Sequence, residues 1–148
     1  MVDKSKIIPI ASDHAGFELK EYIKKELKAQ GFELKDYGCF SEESCDYPDF
    51  IHPLANDINN KKYDLGIIIC GSGNGAQMTA NKHQSVRAAL CWTPELAQLA
   101  RMHNDANILS LPARFVEKDT ALEIAISFLS EEFEGGRHQR RVDKISKP

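Results

Sequence analysis

Residues 64–70 read Asp64-Leu65-Gly66-Ile67-Ile68-Ile69-Cys70, and Gly71-Ser72-Gly73-Asn74-Gly75 follow directly. From Leu65 to Ile69 no polar residue interrupts the run, so it lacks the wet-and-dry alternation of a half-exposed strand. It predicts a strand over 64–70 buried on both faces, which is the pattern of a parallel sheet covered by helices. The glycines then predict a sharp turn into a helix reaching about residue 82.

Outward from this centre, strand-like and helix-like stretches alternate. Upstream, 7–12 reads as a first strand, with Pro9 pointing to an irregular or edge position. A helix is predicted over about 15–30, where Leu19, Ile23 and Leu27 share a face and Gly31 ends it. A short strand at 32–37 and a helix at about 48–60 follow. Downstream, Val86 to Cys91 is a fourth strand. Thr93-Pro94-Glu95 opens a helix with Thr as cap and Pro in the first position, running to about Asn104. Residues 107–111 form a fifth strand, 117–130 a helix, and Gly135-Gly136 sets off a short tail helix. The alternation predicts an α/β fold in one domain over 1–148, with a five-stranded parallel sheet between helices. Ligands of such sheets bind beyond the carboxyl ends of the strands. Site residues are therefore expected after strands one, three and four, and at the C-terminal end of the helix after strand four.

The bulk numbers narrow the function. The chain of 148 residues is 42% hydrophobic and 28% charged, ordinary for a globular protein large enough to bury a core. A net charge of -3 gives no whole-chain case for nucleic acid or an anionic membrane. The opening Met-Val-Asp-Lys-Ser-Lys has no export-signal pattern and no apolar run approaches membrane length, so a cytoplasmic protein is expected. Cys39, Cys45, Cys70 and Cys91 form no C-x-x-C pair, and the five histidines show no ligand spacing, so no metal is expected.

Four groups of residues could carry chemistry. Gly71, Gly73 and Gly75, with Ser72 and Asn74, expose successive N–H groups where a helix begins, an array suited to a phosphate or oxyanion. A plain strand-to-helix turn reads the same way. The G-x-G-x-G spacing after the third strand is not the dinucleotide fingerprint, and the P-loop pattern is absent. Cys70 heads this loop, either as a core cysteine or as a thiol activated at a helix start. Asp13 and His14 close the first strand, where Ser12 or Asp13 could simply cap the next helix. His103 and Asn104 end the fourth helix, where a histidine also suits the negative end. Arg137 and Arg141 are four apart on one helical face, either a solvated tail or a pair of guanidinium groups for a phosphate.

Together these stretches resemble the type B ribose-5-phosphate isomerases: Ser12 to Phe17, Asp46-Tyr47-Pro48, Cys70 to Gly75, Ala80-Asn81-Lys82, Arg101 to Asp105 and Gly135 to Arg141. The likeness covers almost the whole chain in order and spacing. It implies a Rossmann-like α/β/α sandwich that interconverts ribose 5-phosphate and ribulose 5-phosphate without metal or organic cofactor. It also implies a homodimer or homotetramer with sites at subunit interfaces. On that likeness, Cys70 takes the C2 proton, the Gly71–Gly75 amides hold the enediolate and Ser72 moves protons among substrate oxygens. His103 with Asn104 opens the sugar ring, Asp13 binds hydroxyls or assists that step, and His14, Arg137 and Arg141 hold the phosphate.

Some members of the family use a glutamate just after the glycine loop instead of the cysteine. This chain has Ala76 there, and an alanine accepts no proton, so Cys70 is the expected base. Two other readings stay open: an isomerase of galactose 6-phosphate or allose 6-phosphate, and a non-catalytic phosphate-binding module. No role is assigned to Arg114, His52, His83 or His138, and Cys39, Cys45 and Cys91 are read as structural.

Overall fold

A computed structural model describes residues 3–148; Met1 and Val2, part of the opening read above as carrying no export signal, lie outside the described residues. The strands are β1 (Ile7–Ser12), β2 (Glu33–Asp36), β3 (Gly66–Cys70), β4 (Ala88–Leu90) and β5 (Ile108–Pro112). All pair in parallel in the order β2-β1-β3-β5-β4. The helices are α1 (Phe17–Ala29), α2 (Tyr47–Asn59), α3 (Asn74–Ala80), α4 (Pro94–Asn104), α5 (Lys118–Ser130) and α6 (Arg137–Ile145). A single 3₁₀ turn, His14–Gly16, precedes α1. Among the described residues no helix is long and apolar enough to cross a membrane.

The run that decided the fold is the sheet's centre. Ile67, Ile68 and Ile69 are each 0% exposed, and each contributes roughly 1.5–3 kcal/mol by burial. Ile67 and Ile69 face α1, α4 and α5. Ile68 and Cys70 face the other layer, against Ile51 and Leu54 of α2 and Ala76 and Ala80 of α3. The α/β/α sandwich follows from that two-sided burial.

Pro9 departs from the expectation of an edge or irregular strand: β1 lies between β2 and β3. Pairing of β1 with β3 begins only at Ile10, opposite Ile67, so Pro9 sits outside that ladder while its Cα partners Lys35 of β2. A proline lacks only the N–H, and here the second ladder starts one residue later. The fourth strand is also shorter than the expected Val86–Cys91 and lies at the sheet's edge, covering Ala88–Leu90 alone.

A buried lysine ties α1 to the end of β2. Lys20 has a fully buried side chain and pairs with Asp36 Oδ2 at 2.6 Å and Glu21 Oε1 at 3.0 Å. Lys24 adds a second cation 2.7 Å from the same Asp36 oxygen. The other Asp36 oxygen accepts from the Gly38 N–H at 2.8 Å. Gly38 O accepts from Ser12 N, and Ser12 O from Cys39 N. The ion pair therefore holds the segment beside the end of β1.

Burial opposes ionisation of Asp36, but hydrogen bonds from Lys20, Lys24 and Gly38 outweigh it and keep its carboxyl below the ordinary 3.8. Such a group stabilises the fold above its unfolded pKa, and the contribution is lost as pH falls through the lower folded value. Asp36→Ala leaves Lys20 with Glu21 alone and is expected to cost about 3 kcal/mol in urea unfolding at neutral pH. The wild-type advantage over this variant should shrink as the titration is moved below pH 3.8.

Candidate active site

The order β2-β1-β3-β5-β4 turns back on itself between β1 and β3, and a crevice opens there beyond the strands' carboxyl ends. The loops after β1 and β3 meet at it. Gly16 makes this possible: a Cβ there would stand 2.7 Å from Ile69 Cγ2 and 2.9 Å from Ile69 O. With no side chain, the 3₁₀ turn lies directly on the end of β3, and Asp13 N donates to Ile69 O at 3.2 Å. Asp13 is buried and caps the turn through its Oδ1, which accepts from Gly16 N at 3.0 Å. Beside it, His14 Nδ1 accepts from Cys45 N at 3.2 Å and lies 3.9 Å from the Cys45 thiol. That bond leaves Nε2 as the nitrogen free to carry a proton to a ligand. Burial raises the Cys45 thiol pKa, opposed by its backbone contact with His14.

Cys70 ends β3 as one of its inward residues, 4% exposed. Its carbonyl accepts from Ala113 N at 2.9 Å, tying the loop after β3 to the loop after β5. In the glycine loop, Gly73 has φ +79°, and a Cβ there would meet Leu90 Cδ1 at 2.4 Å. Only glycine suits that backbone. Gly73 O accepts from the Ser110 hydroxyl at 2.8 Å, and Ser110 is fully buried. Ser72 Oγ accepts from Asn74 N at 3.3 Å and from Asn74 Nδ2 at 3.2 Å.

Two further residues reach this loop. Arg114, given no role from sequence, stands over Gly71: its Nη1 is 3.3 Å from where a Gly71 Cβ would lie, and its N–H donates to Gly71 O at 2.9 Å. Tyr47 lies over Gly75, with its Oη 2.8 Å from a Cβ built there. The signal for Tyr47 was its place between the α2 cap Asp46 and Pro48. The signal for Arg114 was its position at the carboxyl end of β5, a strand absent from the expected site loops.

His103, Asn104, Arg137 and Arg141 do not join this group within one chain, which corrects the expectation for the end of α4. A helix that leaves the carboxyl end of β4 returns to the amino ends of the strands. The end of α4 is held there: Arg87, just before β4, bonds Asp105 O at 2.8 Å, and its N–H donates to Asn107 Oδ1 at 2.7 Å. Arg101 closes the helix through Asp105 Oδ1 at 3.0 Å and Ala106 O at 2.7 Å, leaving His103 free of that capping role. His103 instead stacks on His138 of α6, ring centroids 4.2 Å apart. Burial lowers the His138 pKa, and His103 and Arg137 lower it further against the opposing Glu134. Arg137 and Arg141 are exposed on α6. A hollow of about 680 Å³ also lies at the amino ends, lined by Ile8, Leu65, Arg87 and Asn107 among others.

This arrangement has close counterparts. The family model of the ribose/galactose isomerases matches residues 8–145. The chain belongs to that family. The ribose-5-phosphate isomerase B of Escherichia coli is 41% identical over 141 residues, covering 95% of each chain. The Thermotoga maritima ribose 5-phosphate isomerase superposes with a TM-score of 0.94 at 48% identity, covering 97% of this chain and 99% of that one. The Mycoplasma genitalium ribose-5-phosphate isomerase B, in a crystal structure with bound ribulose-5-phosphate, gives 0.92 at 46% identity over 98% and 97% of the two chains. The Rossmann-like sandwich expected from the resemblance is the fold observed.

Gly75 and Tyr47 give a direct test of the loop's packing. Gly75→Ala should displace the Tyr47 ring and lower both stability and isomerisation, whereas in a Tyr47→Ala background the same change should cost much less stability. Denaturant unfolding of the four proteins in the cycle is expected to give a coupling of about 0.5–3 kcal/mol.

Proposed function

We propose that this chain is an aldose–ketose isomerase interconverting ribose 5-phosphate and ribulose 5-phosphate, working as a homodimer whose sites each draw on two copies of the chain. The full-length likeness to the relative that holds ribulose-5-phosphate carries the reading. The partition of the chain's own groups supports the two-copy site. One end of the sheet holds Asp13, His14 and Cys70 to Gly75; the other holds His103, Asn104, Arg137 and Arg141. One copy offers its carboxyl-end crevice, and a second brings the amino-end group to it.

In that reading, His103 and Asn104 meet the ring oxygen and open the furanose, with Asp13 ordering the hydroxyls. Cys70 as thiolate takes the proton from C2 and returns it to C1, while Ser72 passes a proton between O2 and O1. The enediolate between these steps carries negative charge on oxygen, and the N–H groups from Gly71 to Gly75 stabilise it. His14, Arg137 and Arg141 clamp the phosphate, whose binding energy positions the reacting carbons. No step needs a metal or an organic cofactor. The same reading takes residues 1–148 as one isomerase domain acting on a free phosphorylated sugar in the cytoplasm, in pentose phosphate metabolism.

Cys70→Ser should fold normally and lose isomerisation by at least about 10²–10⁴-fold, because a hydroxyl is far less ionised than a thiol. Exchange of the C2 hydrogen with solvent should fall in step, and retained exchange in a variant that still binds substrate would remove Cys70 as the base. Activity of the wild type should be unchanged by a chelator. His103→Ala should likewise be inactive with the closed-ring substrate. Mixed and reassembled with Cys70→Ser, it should recover about one quarter of wild-type activity, because half the dimers are hybrids and each hybrid has one intact site. No recovery in demonstrated hybrids would place both groups in the same subunit's site. Arg137→Ala and Arg141→Ala should each weaken kcat/KM by roughly 2–4 kcal/mol.

A further inference from the structure

The connection between β2 and α2 carries two thiols that the isomerisation leaves unused. Residues 37–46 form neither helix nor strand, and both ends of the segment lie against the turn after β1. At one end Cys39 N donates to Ser12 O at 2.8 Å, and the Cys39 sulfur lies 3.9 Å from Ser12 Oγ. At the other, Cys45 N donates to His14 Nδ1 at 3.2 Å, and the Cys45 sulfur lies 3.9 Å from the same nitrogen. Ser12 and His14 are near neighbours in the chain, so the segment doubles back and brings its cysteines together. The Cys39 thiol is in hydrogen-bonding contact with that of Cys45.

The remaining cysteines stand apart from this pair. Cys91 is buried in the layer of α1, α4 and α5, where its thiol is pushed up to about 12, and Cys70 is the proposed base. Within the pair, Cys39 is 4% exposed while Cys45 is partly open to solvent. An oxidant therefore meets Cys45 first, and Cys39 stands behind it. Burial raises the Cys45 pKa and the contact with Cys39 adds to the rise. Its thiolate is then scarce, so the pair answers sustained exposure to oxidant and not a brief pulse. In a reducing compartment such a pair rests as two thiols, and a disulfide there is transient and redox-sensing.

We propose that a hydroperoxide converts Cys39 and Cys45 into a reversible disulfide, which weakens binding of the substrate phosphate by releasing the His14 ring. With hydrogen peroxide, the Cys45 sulfur attacks one oxygen, the O–O bond breaks and a sulfenic acid forms. The Cys39 sulfur then attacks the Cys45 sulfur, the S–O bond breaks and the S–S bond closes. Each departing hydroxide takes up one thiol proton and leaves as water, so two thiols lose two electrons and the peroxide gains them. The bonded sulfurs stand about 2.0 Å apart, well inside contact distance, so closure draws Cys45 toward Cys39 and away from His14. The Cys45 N–H is the donor that leaves the His14 proton on Nε2, facing a ligand. The disulfide follows from the thiol pair; its effect on substrate rests on the phosphate role proposed for His14.

The test treats the reduced full chain with hydrogen peroxide in the presence of a chelator. Cleavage after lysine isolates residues 36–61, which hold both thiols and neither Cys70 nor Cys91. That peptide should come out two hydrogens lighter and resist alkylation until dithiothreitol is added. The oxidised enzyme should show a KM for ribose 5-phosphate raised by about 2–10-fold, the worth of one hydrogen bond, and dithiothreitol should restore it. Oxidation of Cys70 removes active sites and lowers kcat alone, so the two effects separate. Cys39→Ser should isomerise normally when reduced, form no disulfide in this peptide and show no reversible rise in KM. Absence of the lighter peptide, or a disulfide joining either thiol to Cys70 or to a second chain, would overturn the pair. A disulfide that forms and leaves KM unchanged would overturn the switch. His14→Ala then locates the fault: an unchanged KM in that variant removes the phosphate role of His14, and a raised one shows that the disulfide leaves the ring in place.

Discussion

A parallel sheet has two unlike ends, and that polarity governs everything else in this molecule. Each strand delivers its last residue to one edge, and each helix must carry the chain back to the other. Ser12, Cys70 and Pro112 end their strands at the carboxyl edge; Asn104 and Ser130 end their helices at the amino edge. No side chain is long enough to span the two. A reaction needing a base from the first set and a ring-opening histidine from the second therefore calls for two chains. On the proposed mechanism, the need for a partner is built into the topology before any interface is considered.

The carboxyl edge is made precise by close approaches. Gly16 brings the 3₁₀ turn onto Ile69, Gly73 lets the loop pass under Leu90, and Gly75 leaves room for the Tyr47 ring. Each missing Cβ converts space into an approach of backbone or ring that a larger residue would block. Polar anchors then hold the backbone in place: Ser110 on Gly73, Thr79 on Gly75 at 2.8 Å, and the Lys20–Asp36 pair acting through Gly38 on Ser12. Buried polar groups of this kind cost stability when their partners are lost, which is why they specify one loop conformation.

Much of this was legible because the signals are local. An uninterrupted run such as Leu65 to Ile69 has few readings, and Thr93-Pro94-Glu95 starts α4 where expected, with Thr93 Oγ1 accepting from Leu96 N at 3.2 Å. Strand order is not local. Nothing around Pro9 reveals that β1 has neighbours on both sides, because the register with β3 is decided by packing far along the chain. For the same reason Ser110 reads as an interruption of an apolar strand and Lys20 as a surface residue of an amphipathic helix. Their partners Gly73 and Asp36 are distant in sequence. Arg114 was missed because it follows the fifth strand, whose place next to β3 is a property of the assembled sheet.

The choice between cysteine and glutamate as base also has a packing side. Cys70 and Ala76 belong to one buried cluster with Ala11, Ile51 and Leu54, and Ala76 is completely covered. A carboxylate in place of Ala76 would enter that cluster charged, at a desolvation cost that only new hydrogen bonds could offset. A cysteine side chain at the end of β3 behaves as a small, nearly apolar group and adds less to that cost than a carboxylate. The small Ala76 side chain and the thiol at Cys70 thus suit each other: the first keeps the α3 face tightly packed, and the second puts a thiol at the strand end from which the glycine loop leaves.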